Sequence, residues 1–305
     1  MEIIRIIESA LRMTDEAYRE EGMGYNRKQK MKIVALCLLS PNFARRWFDQ
    51  LLCTDLQEIL KQRKRLFFKP FRVYMSTKWS QSQRMKAILD TYYFSNQNAF
   101  LGRVLKTDGF IKIADVCTKE RMLYLNIGYN DRFRKEGEYV LNLIDAETAI
   151  RIYSLSFCFL NDAEGISCMI GCVQGGIDCS ESFLKIVQKA MHGLRPKSFM
   201  VYAIQELAKE LGCVQVKGVG NKIQSHNKKH LIHIDFLHKL SFDYNKFWEE
   251  AGGGEKEDWY LLPIDYLRKP IEEIKSKKRS QYKRRYEMLD IVAGNIQQEV
   301  QRGRS

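Results

Sequence analysis

Apolar residues recur every three or four positions through the first hundred residues: Ile3, Ile6, Ile7, Ala10 and Leu11; Ile33, Leu36, Cys37 and Leu39 ahead of Pro41; then Trp47, Phe48, Leu51, Leu52, Leu56, Ile59 and Leu60. This is the period of amphipathic helices, the third of which ends in the basic cluster Lys61, Arg63, Lys64 and Arg65. A further helix is expected over 81–93. From Phe110 the period falls to two, which predicts strands over 110–116, 121–128, 137–145, 150–160 and 165–173, separated by polar turns such as Asn161-Asp162-Ala163-Glu164-Gly165. Short links between successive strands imply an antiparallel meander. After Gln174-Gly175-Gly176 the helical period returns over 180–191 and 196–211, with Pro196 suited to the first helical position and Gly212 to the position after the last. A strand over 213–219, a short helix over 243–251 capped by Asp243, and a strand over 258–262 follow. From Pro270 onward, Ile271, Ile274, Tyr282, Tyr286, Leu289 and Val292 predict a basic amphipathic helix.

The expected fold class is therefore α/β, a mainly antiparallel mixed sheet with flanking helices, preceded by a helical region and followed by a basic helix. The chain divides on this pattern into a basic helical region (1–105), an α/β domain (106–265) and a helical tail (266–305). Its 305 residues are 45% hydrophobic with only 5 prolines, enough apolar material for one large core or two modest ones. No fixed-period repeat or low-complexity stretch is present, which argues against a solenoid or a disordered chain. Residues 1–21 mix acidic and basic side chains without a basic segment leading into an apolar run, so a usual signal peptide is not expected. The apolar run from Ile33 to Leu39 is about a third of what spanning a bilayer needs. A cytosolic protein is expected, with peripheral association at the inner membrane as a further option. The eight cysteines lie mostly in apolar segments, never as C-x-x-C, and read as reduced core residues.

The formal charge of +13 is unevenly spread. Residues 26–86 hold 15 Lys and Arg against 3 Asp and Glu, residues 268–305 hold 11 against 5, and the middle is near neutral. Such flanks suit anionic partners, a membrane surface or an acidic carrier protein among them. Nucleic acid is disfavoured, because no zinc-finger spacing, RNP-type motif or KH loop accompanies the charge.

Four segments together resemble the VirK/YbjX family of Gram-negative bacteria: Lys69-Pro70-Phe71-Arg72-Val73-Tyr74; Gly218-Val219-Gly220-Asn221 followed by His226; Phe242 to Glu250; and Lys277 to Tyr286. The resemblance covers nearly the whole chain. It implies a link to virulence and to survival of antimicrobial peptides acting on the envelope, without assigning chemistry. A more distant resemblance, over 110–263, is to the GNAT acyltransferase fold. There Gly193-Leu194-Arg195-Pro196-Lys197-Ser198 opens a helix like the one that holds the cofactor pyrophosphate, and free N–H groups with Arg195 and Lys197 suit a phosphate. The usual phosphate loop is split, since Gln174-Gly175-Gly176 is separated from Gly193 by a whole helix. The position of the usual tyrosine acid holds Trp248, and Tyr244 one turn earlier is the nearest replacement.

What the GNAT resemblance implies is acyl transfer from an acyl carrier protein thioester or acyl-CoA to an amine or hydroxyl of a peptide or envelope-related acceptor. The competing class is a non-catalytic protein binding anionic lipid, lipopolysaccharide or RNA. In the enzymatic reading His226, after the strand ending near Asn221, is the general base, because histidine titrates nearest neutral pH. Tyr244 is the candidate acid and Asn221 lies beside them; Gln174, Gly175, Gly176, Arg195, Lys197 and Ser198 hold the donor. The density of His226, His230, His233 and His238 raises a metal reading, but the spacings match no standard zinc pattern and no metal is expected.

Overall fold

The computed structural model describes residues 2–53, 56–118, 120–227 and 242–302. Its first hundred residues are helical as the apolar period requires: α1 (Ile3–Ala17), α2 (Met23–Leu39), α3 (Pro41–Cys53), α4 (Leu56–Gln62), α5 (Gln81–Gln97) and α6 (Ala99–Lys106). The expected third helix is two, α3 and α4. Ser80 caps α5 in a reciprocal pair with Gln83, and the Asn98 side chain accepts from Leu101 N to start α6.

The meander follows as β1 (Phe110–Cys117), β2 (Met122–Gly128), β3 (Tyr139–Asp145), β4 (Arg151–Asp162) and β5 (Gly165–Gly175). Next come α7 (Glu181–Ala190), α8 (Pro196–Glu210), β6 (Gln215–Val219), α9 (Tyr244–Glu250), β7 (Gly254–Lys256), β8 (Trp259–Leu262) and α10 (Arg279–Gln301). The eight strands form one sheet in the order β1-β2-β3-β4-β5-β6-β8-β7, antiparallel throughout except that β5 and β6 run parallel. That parallel pair is the consequence of the α7–α8 crossover, since a hairpin cannot join parallel strands. Every residue of β3 is buried, so both faces of the sheet are covered at its centre. One side receives α5, where Tyr139 Oη donates to Ser95 Oγ and Phe94 meets Phe159 edge-on. Helix α8 is buried along almost its whole length, and most buried apolar side chains between Ile6 and Val300 belong to one continuous cluster, with Phe133, Val140 and Cys172 forming a small second one.

Two local features differ from the apolar pattern. Residues 254–256 form a short exposed edge strand, for which three residues carry no periodicity. Between Pro270 and Arg279 the tail forms only two short 3-10 turns, Ile271–Glu273 and Ser276–Lys278, and the Arg279 guanidinium donates to the carbonyls of Ile274 and Glu272. Beyond it α10 folds back: Met288, Leu289, Val292, Ile296 and Val300 are buried, and Leu289 O accepts from Tyr202 Oη. Among the described residues no helix is long and apolar enough to cross a membrane, no group of three or more metal-ligating side chains is present, and Cys37, Cys117, Cys158, Cys168, Cys172, Cys179 and Cys213 are free thiols.

Candidate functional site

The parallel pair ends early. Strand β5 pairs with β6 only from Ser167 opposite Gln215 to Ile170 opposite Gly218, then continues to Gly175 with β4 alone. The parting coincides with Gly171, an extra residue between the pairs Phe157–Ile170 and Ser156–Cys172, hence a β-bulge. A methyl group on Gly171 would lie 2.1 Å from Glu136 O, so only glycine admits the neighbouring backbone. Gly137 is pressed likewise against Phe157, whose N and O both lie 2.5 Å from where its Cβ would be. The strap Glu136-Gly137-Glu138 thus crosses the sheet at the bulge, where β5 and β6 separate.

The turns after β6 close over this strap. Ser225 Oγ, buried, donates to Glu136 Oε1 at 2.6 Å, and His226 Nε2 lies 3.1 Å from the same oxygen. Glu136 is 2% exposed and the imidazole 56%. A buried carboxylate therefore holds one ring nitrogen of a solvent-facing histidine, and with Nε2–H turned to Glu136, Nδ1 carries the free lone pair. His226 N is anchored by Gln224 Oε1 at 2.6 Å. The segment after Lys69-Pro70-Phe71-Arg72 braces both sides: Met75 N donates to Lys135 O, Thr77 N to Ile223 O, and Ser76 bridges Gln224. Met75 does so in left-handed backbone (φ 58°), a conformation costing on the order of 1 kcal/mol for a side-chain-bearing residue.

Asn221 ties down the start of α9. Its Oδ1 accepts from Tyr244 N at 2.9 Å, its Nδ2 donates to Asp243 Oδ1 at 2.8 Å, and its own N–H reaches Asn245 Oδ1 at 2.8 Å. Asp243 is the N-cap, accepting from Lys246 N. These bonds aim Tyr244 into the gap between β5 and β6, where its hydroxyl meets Val173 N at 3.2 Å, Val173 O at 3.3 Å and Cys172 Sγ at 3.6 Å. Burial, then the Cys172 thiol, pushes the phenol well above its ordinary range, so it keeps its proton. Burial, then Glu136, likewise raises Cys172 to about 12, which leaves an inert thiol. Trp248 donates to Val219 O at 2.8 Å and packs on Gly218.

Of the donor candidates, Arg195 and Lys197 line a shallow cleft of about 220 Å³, together with Tyr153, Glu181, Lys185 and Gln188. Tyr153 pairs with Gly175 across the β4–β5 ladder, which brings the Gln174–Gly176 turn to its rim. Gln174 is exposed, and Gly176 is required by the backbone, a Cβ there lying 1.7 Å from Arg151 O. Arg195 is the N-cap residue of α8 and pairs with Glu250 at 2.6 Å. Lys197 stands 5.1 Å from the Phe242 ring centre and 5.3 Å from Phe247; burial, then Arg195, lowers its pKa. Ser198 gives its N–H to Arg195 O. The cleft thus carries Lys185, Arg195 and Lys197 beside the acidic Glu181, with Arg195 already engaged by Glu250, whereas the strand edge at Val173 is taken by Tyr244. His230, His233, Asp235 and His238 fall outside the described residues.

Sequence reasoning missed Glu136, and it missed a second cluster directly beside it. Glu138, fully buried, accepts from Lys69 Nζ at 2.6 Å and from Tyr92 Oη, while Arg63 Nη1 lies 3.5 Å from its other oxygen and donates to Tyr92 Oη at 2.9 Å. Lys69 also donates to Gly137 O at 3.4 Å. Arg63 and Lys69 belong to a cluster that reads as a solvated basic face, yet they are 4% and 6% exposed. The available signal was the setting: Lys69 inside Leu66-Phe67-Phe68-Lys69-Pro70-Phe71, and Glu136-Gly137-Glu138 abutting the run Tyr139 to Ile144.

A family described as "Protein of unknown function (DUF535)" matches residues 23–298. An uncharacterized protein of Haemophilus influenzae is 30% identical over 267 residues, covering 83% of this chain and 87% of the relative. The uncharacterized protein YbjX of Escherichia coli is 28% identical over 277 residues, covering 88% and 82%. Among solved structures, a cAMP-binding acyltransferase from Mycobacterium smegmatis aligns with a TM-score of 0.31 and 10% identity, over 71% of this chain and 61% of that one. The chain belongs to the DUF535 family, and the VirK/YbjX resemblance read from its sequence is borne out.

Proposed function

We propose that this DUF535 protein transfers an acyl group from a thioester donor, an acyl carrier protein or CoA conjugate, to an amine or hydroxyl of a peptide or envelope-related acceptor. The observation that carries the reading is His226, half in solvent, held through Nε2 by the buried Glu136 where β5 and β6 part. In the step proposed, His226 Nδ1 takes the acceptor's proton as its nitrogen or oxygen bonds to the acyl carbon. The carbon–sulfur bond breaks, and the leaving thiolate recovers a proton from the imidazolium. Glu136 and Ser225 position the base, and Lys185, Arg195 and Lys197 receive the donor's phosphate by charge-assisted hydrogen bonds.

One observation favours a second reading, a non-catalytic protein for anionic lipid, lipopolysaccharide or RNA: the Tyr244 hydroxyl already meets both Val173 N and Val173 O, closing that strand edge. Thiol release from acyl-carrier and acyl-CoA thioesters, followed with a chromogenic disulfide, separates the two. The enzyme should release thiol, and His226→Ala should slow release by about 10²- to 10⁴-fold while leaving the fold intact. Release unaffected by that change, or none from any thioester with every acceptor class, would remove the proposal.

A further inference from the structure

Helix α2 is apolar on two opposite faces. Ile33 and Cys37 are buried on one, with Leu36 packed against the same core. Helical spacing puts Met31, Ala35, Leu38 and Leu39 on the other side, where all four are exposed: Met31 by 69%, Leu38 by 58% and Leu39 by 79%. A helix with a second apolar stripe in water needs a cover, since one apolar face suffices to pack a surface helix. Along α2 and the start of α3 the charge is of a single sign, with Asp15 of α1 paired to Lys30. Residues 22–48 contain six Lys and Arg and no Asp or Glu. Arg27 and Lys28 are exposed one turn before Met31, and Arg45 and Arg46 are exposed on α3, just after Leu39.

We infer that this face of α2 is a docking surface for an anionic lipid bilayer. The stripe would enter the headgroup region with the helix lying along the membrane plane, and the basic residues on either side would meet lipid phosphates. A rim of Arg27, Lys28, Arg45 and Arg46 selects a negative partner and opposes face-to-face contact with a second copy, which would bring the same cations together. The inference stands apart from the transfer chemistry, because it uses none of the residues around His226.

The test is co-sedimentation of the full chain with vesicles of phosphatidylethanolamine and phosphatidylglycerol, against vesicles of phosphatidylcholine alone. The wild-type protein should pellet with the anionic vesicles only, and less as salt rises. Leu38→Glu with Leu39→Glu should abolish pelleting, and Arg27→Gln with Lys28→Gln should weaken it by about fivefold per charge removed. Unchanged circular dichroism melts for the variants make loss of binding a surface effect; because all four residues are exposed, no loss of fold is expected. Equal pelleting of wild type and variants, equal binding to neutral vesicles, or a dimer dispersed by the two leucine changes without vesicle binding would overturn the inference.

Discussion

Glu136 and Glu138 flank one glycine and are both buried, yet their surroundings give them opposite work. Glu138 is sealed with two buried cations and a tyrosine, none of them more than 6% exposed. Among the described residues no Lys or Arg pairs with Glu136. Its donors are a buried serine and a histidine that is 56% exposed, so the carboxylate's influence leads outward. A buried charge compensated from within is a fixed part of the fold, whereas one whose donors include a solvent-facing imidazole sets which ring nitrogen faces the solvent. The difference teaches that burial alone does not mark a site; the path from the buried charge to solvent does.

The largest expected effect breaks the comparison on its sealed side. Glu138→Ala strands Lys69 and Arg63 without a counter-charge and should cost about 3–5 kcal/mol, measured by urea unfolding. A loss below about 1 kcal/mol would mean that water reaches the cluster. Next comes Glu136→Gln, whose amide oxygen can still accept from Ser225. It should leave the unfolding midpoint nearly unchanged while slowing thioester turnover by about 10²-fold, toward the lower end of what general-base catalysis contributes; a large fall in stability with unaltered turnover per folded molecule would make Glu136 a second Glu138.

Gly171→Ala sharpens the comparison from below the strap. With 2.1 Å between the new methyl and Glu136 O, the backbone must move, at about 1–3 kcal/mol. His226 should lose activity beyond that stability loss, since Glu136 is the residue displaced. Restoration of full turnover at low temperature, where the variant is folded, would contradict the placement.

The fold was largely legible in the sequence. The switch from period two to 3.6 lies at Gly176, and each strand from β1 to β6 falls within a few residues of its expected span, because side-chain alternation is the direct print of a half-buried or buried sheet. The site was legible only in part. Asn221 and Tyr244 stand at the ends of predictable elements and are joined by the Tyr244 N to Asn221 Oδ1 bond, while His226 lies in the turns after β6 against Glu136. Glu136, Arg63 and Lys69 were hidden for a physical reason: a charged residue announces its burial only through partners far along the chain, as Glu136 does with Ser225 and Lys69 with Glu138. The bulge at Gly171 has no signal other than glycine itself.

The smallest expected effect concerns a third carboxylate, at the far end of β3. Burial pushes Asp145 up, but Thr148 and the partly exposed Arg121 outweigh it and hold the acid below its ordinary range. A carboxyl depressed in the folded state contributes stability above its unfolded pKa, about 3.9, and loses it as pH falls through the folded value. Asp145→Asn should therefore lower the melting temperature at pH 7 and flatten the fall in stability below about pH 4. An unchanged acid limb would show that other carboxylates set it.

The central claim is that His226, held by Glu136, removes the acceptor's proton. Because the ring is half exposed, small imidazoles can enter the space that its removal creates. Single-turnover thiol release by His226→Ala, from whichever thioester the wild-type protein uses, should rise with added imidazole in proportion to the free base, while the Glu136→Gln, His226→Ala double variant should be rescued to the same level. No rescue, with a correctly folded variant, would contradict a proton-transfer role for His226.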